Sequence, residues 1–188
     1  MAIYIDGITV IADAVVEPVS RTDAKNWMRI TDYTSDDTLI DELITSARKH
    51  IEKLTGLSLA NKKLKAYVDL TGEVPAVWMV DVPYGPLLCV DEIRYKIGLN
   101  SWDVLENNVE YEKIGGKLWF YAAGTYEITY QAGYGDLPAD LENDILTLVA
   151  WMYQNRGKAF QGSAREGLMK EYPNWDGLNY HQYKKVVI

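Results

Sequence analysis

The 188-residue sequence holds one cysteine, two histidines and only two phenylalanines. A single thiol, Cys89, admits neither an internal disulfide framework nor a cysteine-built zinc site, and it fits a reducing compartment. His50 and His181 stand far apart, and H-E-x-x-H, C-x-x-C and an Asp-rich calcium loop are all missing, so no metal site is expected. Positive charge is also scarce: 19 Lys and Arg face 27 Asp and Glu, for a net charge of -8. Affinity for duplexes comes largely from neutralised phosphates, so tight, direct DNA binding is disfavoured. No run approaches ~18 apolar residues, which excludes a membrane-spanning helix. The first residues lack the basic region of a secretory signal, and none is expected.

Catalytic signatures are missing as well. G-x-G-x-x-G, a Walker sequence and a G-x-S-x-G elbow do not occur. Gly133-Tyr134-Gly135 falls between a predicted strand and helix, where a phosphate loop would lie, but it has no third glycine and no lysine, and Asp136 follows. A structural turn is the better reading. Cys89 sits in the apolar run Leu87-Leu88-Cys89-Val90 and is expected to be a small buried hydrophobe. Asp36/Asp37 and Asp41/Glu42 are neighbours on a predicted helix, and adjacent helical residues do not face each other. Neither pair resembles an acid and base. The expectation is no catalytic residue, no cofactor and no enzyme.

What is present is an ordinary folded composition, 48% hydrophobic and 24% charged, with an unusual aromatic set of fourteen Tyr and six Trp. Such side chains suit wet interfaces, and strands favour them too. Residues 1–17 read as a β-prone arm around Asp6-Gly7. After Pro18, Ser20 and Asp23 form an S-x-x-D capping box for a short helix, with Trp27, Met28 and Ile30 as its apolar side. A long helix follows, capped by Ser35. Ile40, Leu43, Ile44, Ala47, Ile51 and Leu54 form its apolar stripe, and Gly56 its left-handed end. His50 near that end would be a cation favoured by the helix dipole.

From Lys62 to Gln131 the period becomes two. Strands are expected over 64–70, 77–80, 87–97, 102–105, 109–114, 118–121 and 126–130, with Asn107-Asn108 and Gly115-Gly116 as tight-turn signals. The pattern is an antiparallel meander rather than a set of parallel crossovers. Helical spacing returns after Pro138, with Leu141, Ile145, Leu148, Val149 and Met152 on one face, and Gly157 ends it. The fold class is therefore α+β. A small helical bundle core (19–61 and 132–160) flanks an inserted antiparallel β module (62–131), with extended termini at 1–18 and 161–188.

Two segments remain for a binding role. Arg156, Lys158 and Arg165 make a locally basic stretch suited to a phosphate or an acidic partner, or simply to a solvated linker. Trp175, Tyr180, Tyr183, Val186, Val187 and Ile188 form an aromatic and β-branched arm that needs cover. It would add a strand to a neighbour, reach a partner, or fold back on its own domain. Deleting 175–188 is expected to abolish assembly while leaving thermal unfolding nearly unchanged.

The helical flanks resemble the head-tail connector (adaptor) family of tailed bacteriophages. The resemblance lies in Val19-Ser20-Arg21-Thr22-Asp23-Ala24-Lys25 through Ile30, then Asp37-Thr38-Leu39-Ile40 to Leu54-Thr55-Gly56. It continues in Val82-Pro83-Tyr84-Gly85-Pro86-Leu87, and in Tyr130-Gln131-Ala132-Gly133-Tyr134-Gly135 with Leu137-Pro138 through Arg156. Together these cover about residues 19–157; the first 17 residues and the chain after Gly162 lie outside the pattern. The resemblance implies a structural protein of the virion neck, made in the host bacterial cytoplasm. It implies a homo-oligomeric ring, twelvefold in the particle, below the portal protein. The ring would extend the DNA channel, let DNA pass without specific binding, and dock the next neck or tail component. Alternatives are another neck or tail-completion protein, or a carbohydrate-binding module stacking sugars on coplanar Trp and Tyr rings.

Overall fold

The computed structural model describes residues 2–72, 77–106, 110–156 and 178–183. The fold is α+β, and the chain divides into two compact units. One comprises Met1–Val16 with Ala60–Gly135, the other Glu17–Leu59 with Asp136–Ile188.

The helical unit is built from α1 (Arg21–Met28), α2 (Asp37–Thr55) and α3 (Ala139–Gln154), with a terminal 3-10 turn at Asn179–Tyr183. The Ser20 hydroxyl accepts from the Asp23 backbone N–H and the Asp23 carboxylate accepts from the Ser20 N–H, so the capping box forms as the sequence predicts. Its buried side differs. Ala24 and the aliphatic stem of Lys25 face inward, whereas Trp27 is about half exposed. Eight residues give barely two turns, and Arg29, in the left-handed region at φ 59°, ends the helix before Ile30 can join its inner face.

α2 starts one residue later than Ser35 implies, with Asp36 as the N-cap and no side-chain hydrogen bond there. Ile40, Ile44, Ala47 and Ile51 are buried and Leu43 and Leu54 partly so; Gly56, at φ 71°, ends the helix as expected. Leu141, Ile145, Leu148 and Val149 of α3 are buried, α2 packs on α3, and α1 contacts both. Each fully buried aliphatic side chain contributes about 1.5–3 kcal/mol, so these two stripes hold the unit together.

Among the described residues, the sheet unit holds eight strands in two antiparallel sheets rather than one meander. Five are ordered β1 (Ala2–Ala12), β2 (Lys62–Thr71), β8 (Gly124–Ala132), β4 (Leu87–Lys96) and β5 (Trp102–Val104). Three are ordered β3 (Trp78–Val80), β7 (Lys117–Phe120) and β6 (Tyr111–Ile114). Both contribute to one core. Leu64, Ala66, Val68 and Leu70 of β2 alternate inward with Tyr126, Ile128 and Tyr130 of β8, joined by Trp78, Val80, Leu118 and Phe120. The buried hydroxyls of Tyr126 and Tyr130 donate to the carbonyls of Ala122 and Pro83, both at 2.7 Å. Burial pushes the Tyr126 phenol up to about 12. Part of the tyrosine content is therefore core, not interface. Gly115 and Gly116, at φ 60° and 77°, make the β6–β7 turn; Asn107 and Asn108 lie outside the described residues.

The β-prone residues expected at the start of the chain form the strand β1, which pairs with β2 along nearly its whole length. One expectation is corrected here. Cys89 is exposed. Register shifts between Leu87/Cys89 and Val90/Glu92 interrupt the alternation of β4. They leave Leu87, Val90 and Ile93 toward the core, every third residue, and turn Cys89 outward. Gly133 behaves as the structural turn predicted for it. Its N–H donates to the Pro86 carbonyl at 3.0 Å, and a Cβ there would lie 2.7 Å from the Ala60 carbonyl oxygen.

Candidate docking surfaces

Charge in the helical unit organises structure before it offers anything to a partner. On one side Lys25 of α1 reaches Asp37 at 2.9 Å, and Arg21 bridges Asp37 and Asp41. The hydrogen bond from Lys25, then the charges of Lys25 and Arg21, hold the Asp37 carboxyl below the ordinary carboxylate range. These carboxylates fasten α1 to α2. On the other side Arg48 is only 1% exposed and binds Glu17 at 2.7 Å and Glu52 at 3.0 Å. Glu52 also accepts the Leu59 N–H at 2.9 Å, and Glu17 accepts the Thr45 hydroxyl at 2.9 Å. One guanidinium therefore ties together the segment entering α1, the body of α2 and the segment leaving it. The sequence signal, a basic residue in the last turns of a helix, points instead to a solvated cation interacting with the helix dipole. His50 is likewise not the expected cation: burial, then the charge of Lys53, lowers its pKa and favours the neutral ring.

Residues 178–183, the described part of the C-terminal aromatic segment, fold back onto α3. Asp144, buried in that helix, accepts the backbone N–H of Tyr180 at 2.7 Å, that of Asn179 at 3.1 Å, and the Asn179 side-chain amide at 3.2 Å. Asp140, one turn earlier, accepts the Tyr183 hydroxyl at 2.8 Å and the Gln182 amide at 2.6 Å. Tyr180 is 2% exposed and stacks on His181 at 4.3 Å between ring centroids. It is therefore corrected from a partner contact to a core residue of its own unit, and Tyr183 is anchored beside it. Trp175, Val186, Val187 and Ile188 lie outside the described residues. A helix carboxylate buried in an apolar face is the one sequence clue to this contact, because it requires donors from elsewhere in the chain.

Of the basic residues, Lys158 and Arg165 lie outside the described residues. Arg156 borders a cleft of about 470 Å³ with Arg29, Tyr33 and Tyr153. Its guanidinium sits 4.0 Å over the Tyr153 ring and 3.4 Å from Asp36. The Tyr153 hydroxyl donates to the same carboxylate at 2.7 Å, which raises its pKa. Arg156 is thus already engaged with Asp36, which diminishes its charge toward an incoming phosphate.

The outer face of the five-stranded sheet is a polar ladder. Lys63 pairs with Asp91 at 2.7 Å and Lys65 with Glu127 at 3.0 Å; Tyr67 donates to Glu127 at 2.8 Å. Burial pushes the Glu127 carboxyl up, but its bonds from Lys65 and Tyr67 and the charges of Lys65 and Arg94 hold it below its ordinary value. Tyr67 and Trp102 stand 6.2 Å apart and are tilted by 52°. That pair is not a flat sugar platform, and Trp78 is buried in the core. Apolar surface on this sheet lies instead on β1, where Ile3, Ile5, Ile8 and Val10 are 37–53% exposed, and at the β4–β5 hairpin, where Ile97, Leu99 and Val104 are exposed; Val15, Val16, Met79 and Ile114 are exposed elsewhere in the unit. Among the described residues, no group of three or more His, Cys, Asp or Glu is placed to hold a metal ion.

Residues 22–78 match the model of the phage gp6-like head-tail connector protein family. No curated protein sequence matches the chain. Among solved structures, a chain in the neck of an empty gene transfer agent (GTA) particle, computed with C6 symmetry, matches with TM-score 0.68 at 15% identity, covering 97% of both chains. A chain in the virion of the native GTA particle matches at 0.63 and 15% identity, covering 78% of this chain and 84% of that one. One in the native neck computed with C12 symmetry matches at 0.55 and 18% identity, covering 78% and 83%. The connector resemblance thus rests on α1, α2 and β2 by sequence, and the shared fold extends along nearly the whole chain.

Proposed function

We infer that this protein, with its gp6-like connector signature at residues 22–78, is a structural head-tail connector of a virion neck. The observation that carries the reading is the fold shared with a GTA neck chain along 97% of both chains, with that signature at its start. The subunit acts in a homo-oligomeric ring, as the sixfold and twelvefold symmetry of the similar necks suggests. The ring docks on the portal protein on one side and on the next neck or tail component on the other, and DNA passes through its lumen. A net charge of -8 favours passage over adhesion. Its work is mechanical: it holds a channel in register and presents surfaces, with no reaction to catalyse. A carbohydrate-binding role is not favoured, since the described aromatics on the outer sheet face do not form a coplanar set.

The test is a pull-down of the purified chain against its cognate portal protein, with images of any complex. A ring with a central hole seated coaxially on the portal is the expected result. A chain that neither binds portal nor is found in the neck of the particle overturns the reading.

A further inference from the structure

We propose that the uncovered inner face of β1 is the seat of a neighbouring copy of this chain, which places there the hairpin that carries β5. The proposal rests on the ring reading above. Ile3, Ile5, Ile8 and Val10 stand directly across from Leu70, Val68, Ala66 and Leu64 of β2 and share their face of the sheet. Those partners are 1% exposed or less, while the four β1 residues remain 37–53% exposed. Among the described residues, therefore, the core face continues onto β1 but its cover stops short.

The alternation that keeps all four on one face is not automatic. Gly7, at φ 65°, lies at a register shift between Asp6 and Ile8; were it paired as an ordinary strand residue instead of bulged out, Ile8 and Val10 would fall on the opposite face. The edge is also unguarded. Asp6 is the only charged residue in Ala2–Ala12, and neither Lys nor Pro, the usual protections of a free strand edge, occurs there.

A second copy is the occupant these features favour. In a closed ring every subunit presents two different patches to its own kind. The five-stranded sheet has two ends, β1 and β5, and both expose apolar side chains: at the β5 end these are Val104 and, in the β4–β5 connection, Ile97 and Leu99, the last 94% exposed, beside the charged Lys96 and Asp103. Pairing β1 with β1 would close a dimer and leave the hairpin bare. Pairing unlike ends carries the contact onward around a ring.

The test uses the full chain and two single substitutions, Ile8→Asp and Leu99→Asp, read by light scattering, with thermal unfolding recorded for each. Leu99 is too exposed for its replacement to disturb the fold. Each variant is expected to unfold within a few degrees of wild type but to fall from ring mass to the 21.4 kDa of one subunit. Mixing the two should restore a species of twice that mass and nothing larger, since each couple retains one intact pair of patches. Rings that persist in either variant overturn the proposed contact and leave the neck reading standing. Variants that dissociate but yield no pairs on mixing overturn it as well. So does a wild-type chain that stays monomeric at ~1 mM, a concentration at which even a contact of about 4 kcal/mol would be half populated; the portal pull-down then judges the neck reading by itself.

Discussion

Arg48 shows how one residue can govern a unit that sequence periodicity describes only in outline. Its guanidinium is enclosed with Glu52, and both are nearly inaccessible. Removing one member of a buried pair leaves the other charge without compensation, a loss of about 3–5 kcal/mol. Arg48→Met is expected to lower urea-unfolding stability by that order with little change in the denaturant slope, whereas Arg21→Met, at an exposed bridge, should leave the midpoint nearly unchanged. Nothing in the local sequence separates these two arginines, because each has acidic residues at helical spacing or nearby. Burial distinguishes them, and burial depends on where Glu17 and Leu59 return to α2. Acid should weaken the fold through the same kinds of contact. Asp37, Asp91 and Glu127 have folded pKa values below their ordinary 3.8, 3.8 and 4.5, so the unfolded chain takes up protons first as pH falls. Their stabilisation is full above those values and disappears as pH drops through the lower folded ones. His50, lowered from 6.5, acts in the same direction at milder pH, because protonation favours the unfolded chain. The expected Tm profile is flat from about pH 7 to about 9, slopes gently below about 6.5 and falls steeply below about 4.5. A Tm that rises on acidification from pH 7 to 5 would contradict it.

Among the elements, helices and strands were legible where their pattern depends on local spacing alone. The 3.6-residue stripes of α2 and α3 and the strict alternation of β2 are of this kind, and the structure follows them. The misreadings arise where a tertiary constraint intervenes. Two bulges in β4 rotate Cys89 out of a run whose hydrophobicity suggests burial. Trp27 stays exposed because a two-turn helix has too narrow a buried side to include it. The terminal 3-10 turn has no periodicity to announce it; its place is fixed by donors that satisfy Asp144 and Asp140. From this follows a reversal of the deletion expectation. Removing residues 178–188 takes Tyr180 out of the core and leaves the buried Asp144 carboxylate without three donors. Lost burial contributes about 1.5–3 kcal/mol and the orphaned acceptor about 1–3 more, so Tm should fall by several degrees at least. Asp144→Asn in the full chain should reproduce part of the loss. Differential scanning calorimetry measures both, and an unchanged Tm in the deletion would show that the turn adds nothing to the helical unit.

For the molecule as a whole, the α+β fold class and the likeness to connector proteins were legible, and the arrangement of the surfaces was not. The likeness lay in the spaced signatures of the helical flanks, and residues 22–78 match the connector family model. The division of the strands into two sheets, and the apolar face that β1 leaves uncovered, depend on how far one sheet extends over the other. Alternation along β1 marks a strand with apolar positions, but it cannot say whether anything lies above them. Charge, in contrast, is additive and can be used directly. Nonspecific duplex binding arises from counterions released as Lys and Arg neutralise phosphates, with a slope of log K against log salt near -0.9 for each phosphate contacted. Here 27 acidic residues outweigh 19 basic ones, and several of the basic groups are already paired, among them Arg48, Lys25 and Lys65. The isolated chain should therefore show no shift of linear duplex DNA at 0.15 M salt up to protein concentrations of about 100 μM, the weak end of ordinary nonspecific affinity. Reducing the salt tenfold should reveal at most one or two effective phosphate contacts in the slope. Binding in the low micromolar range with a slope corresponding to six or more contacts would mean that a basic surface is presented to DNA, and a lumen along which DNA slides without adhering would then be untenable for this protein.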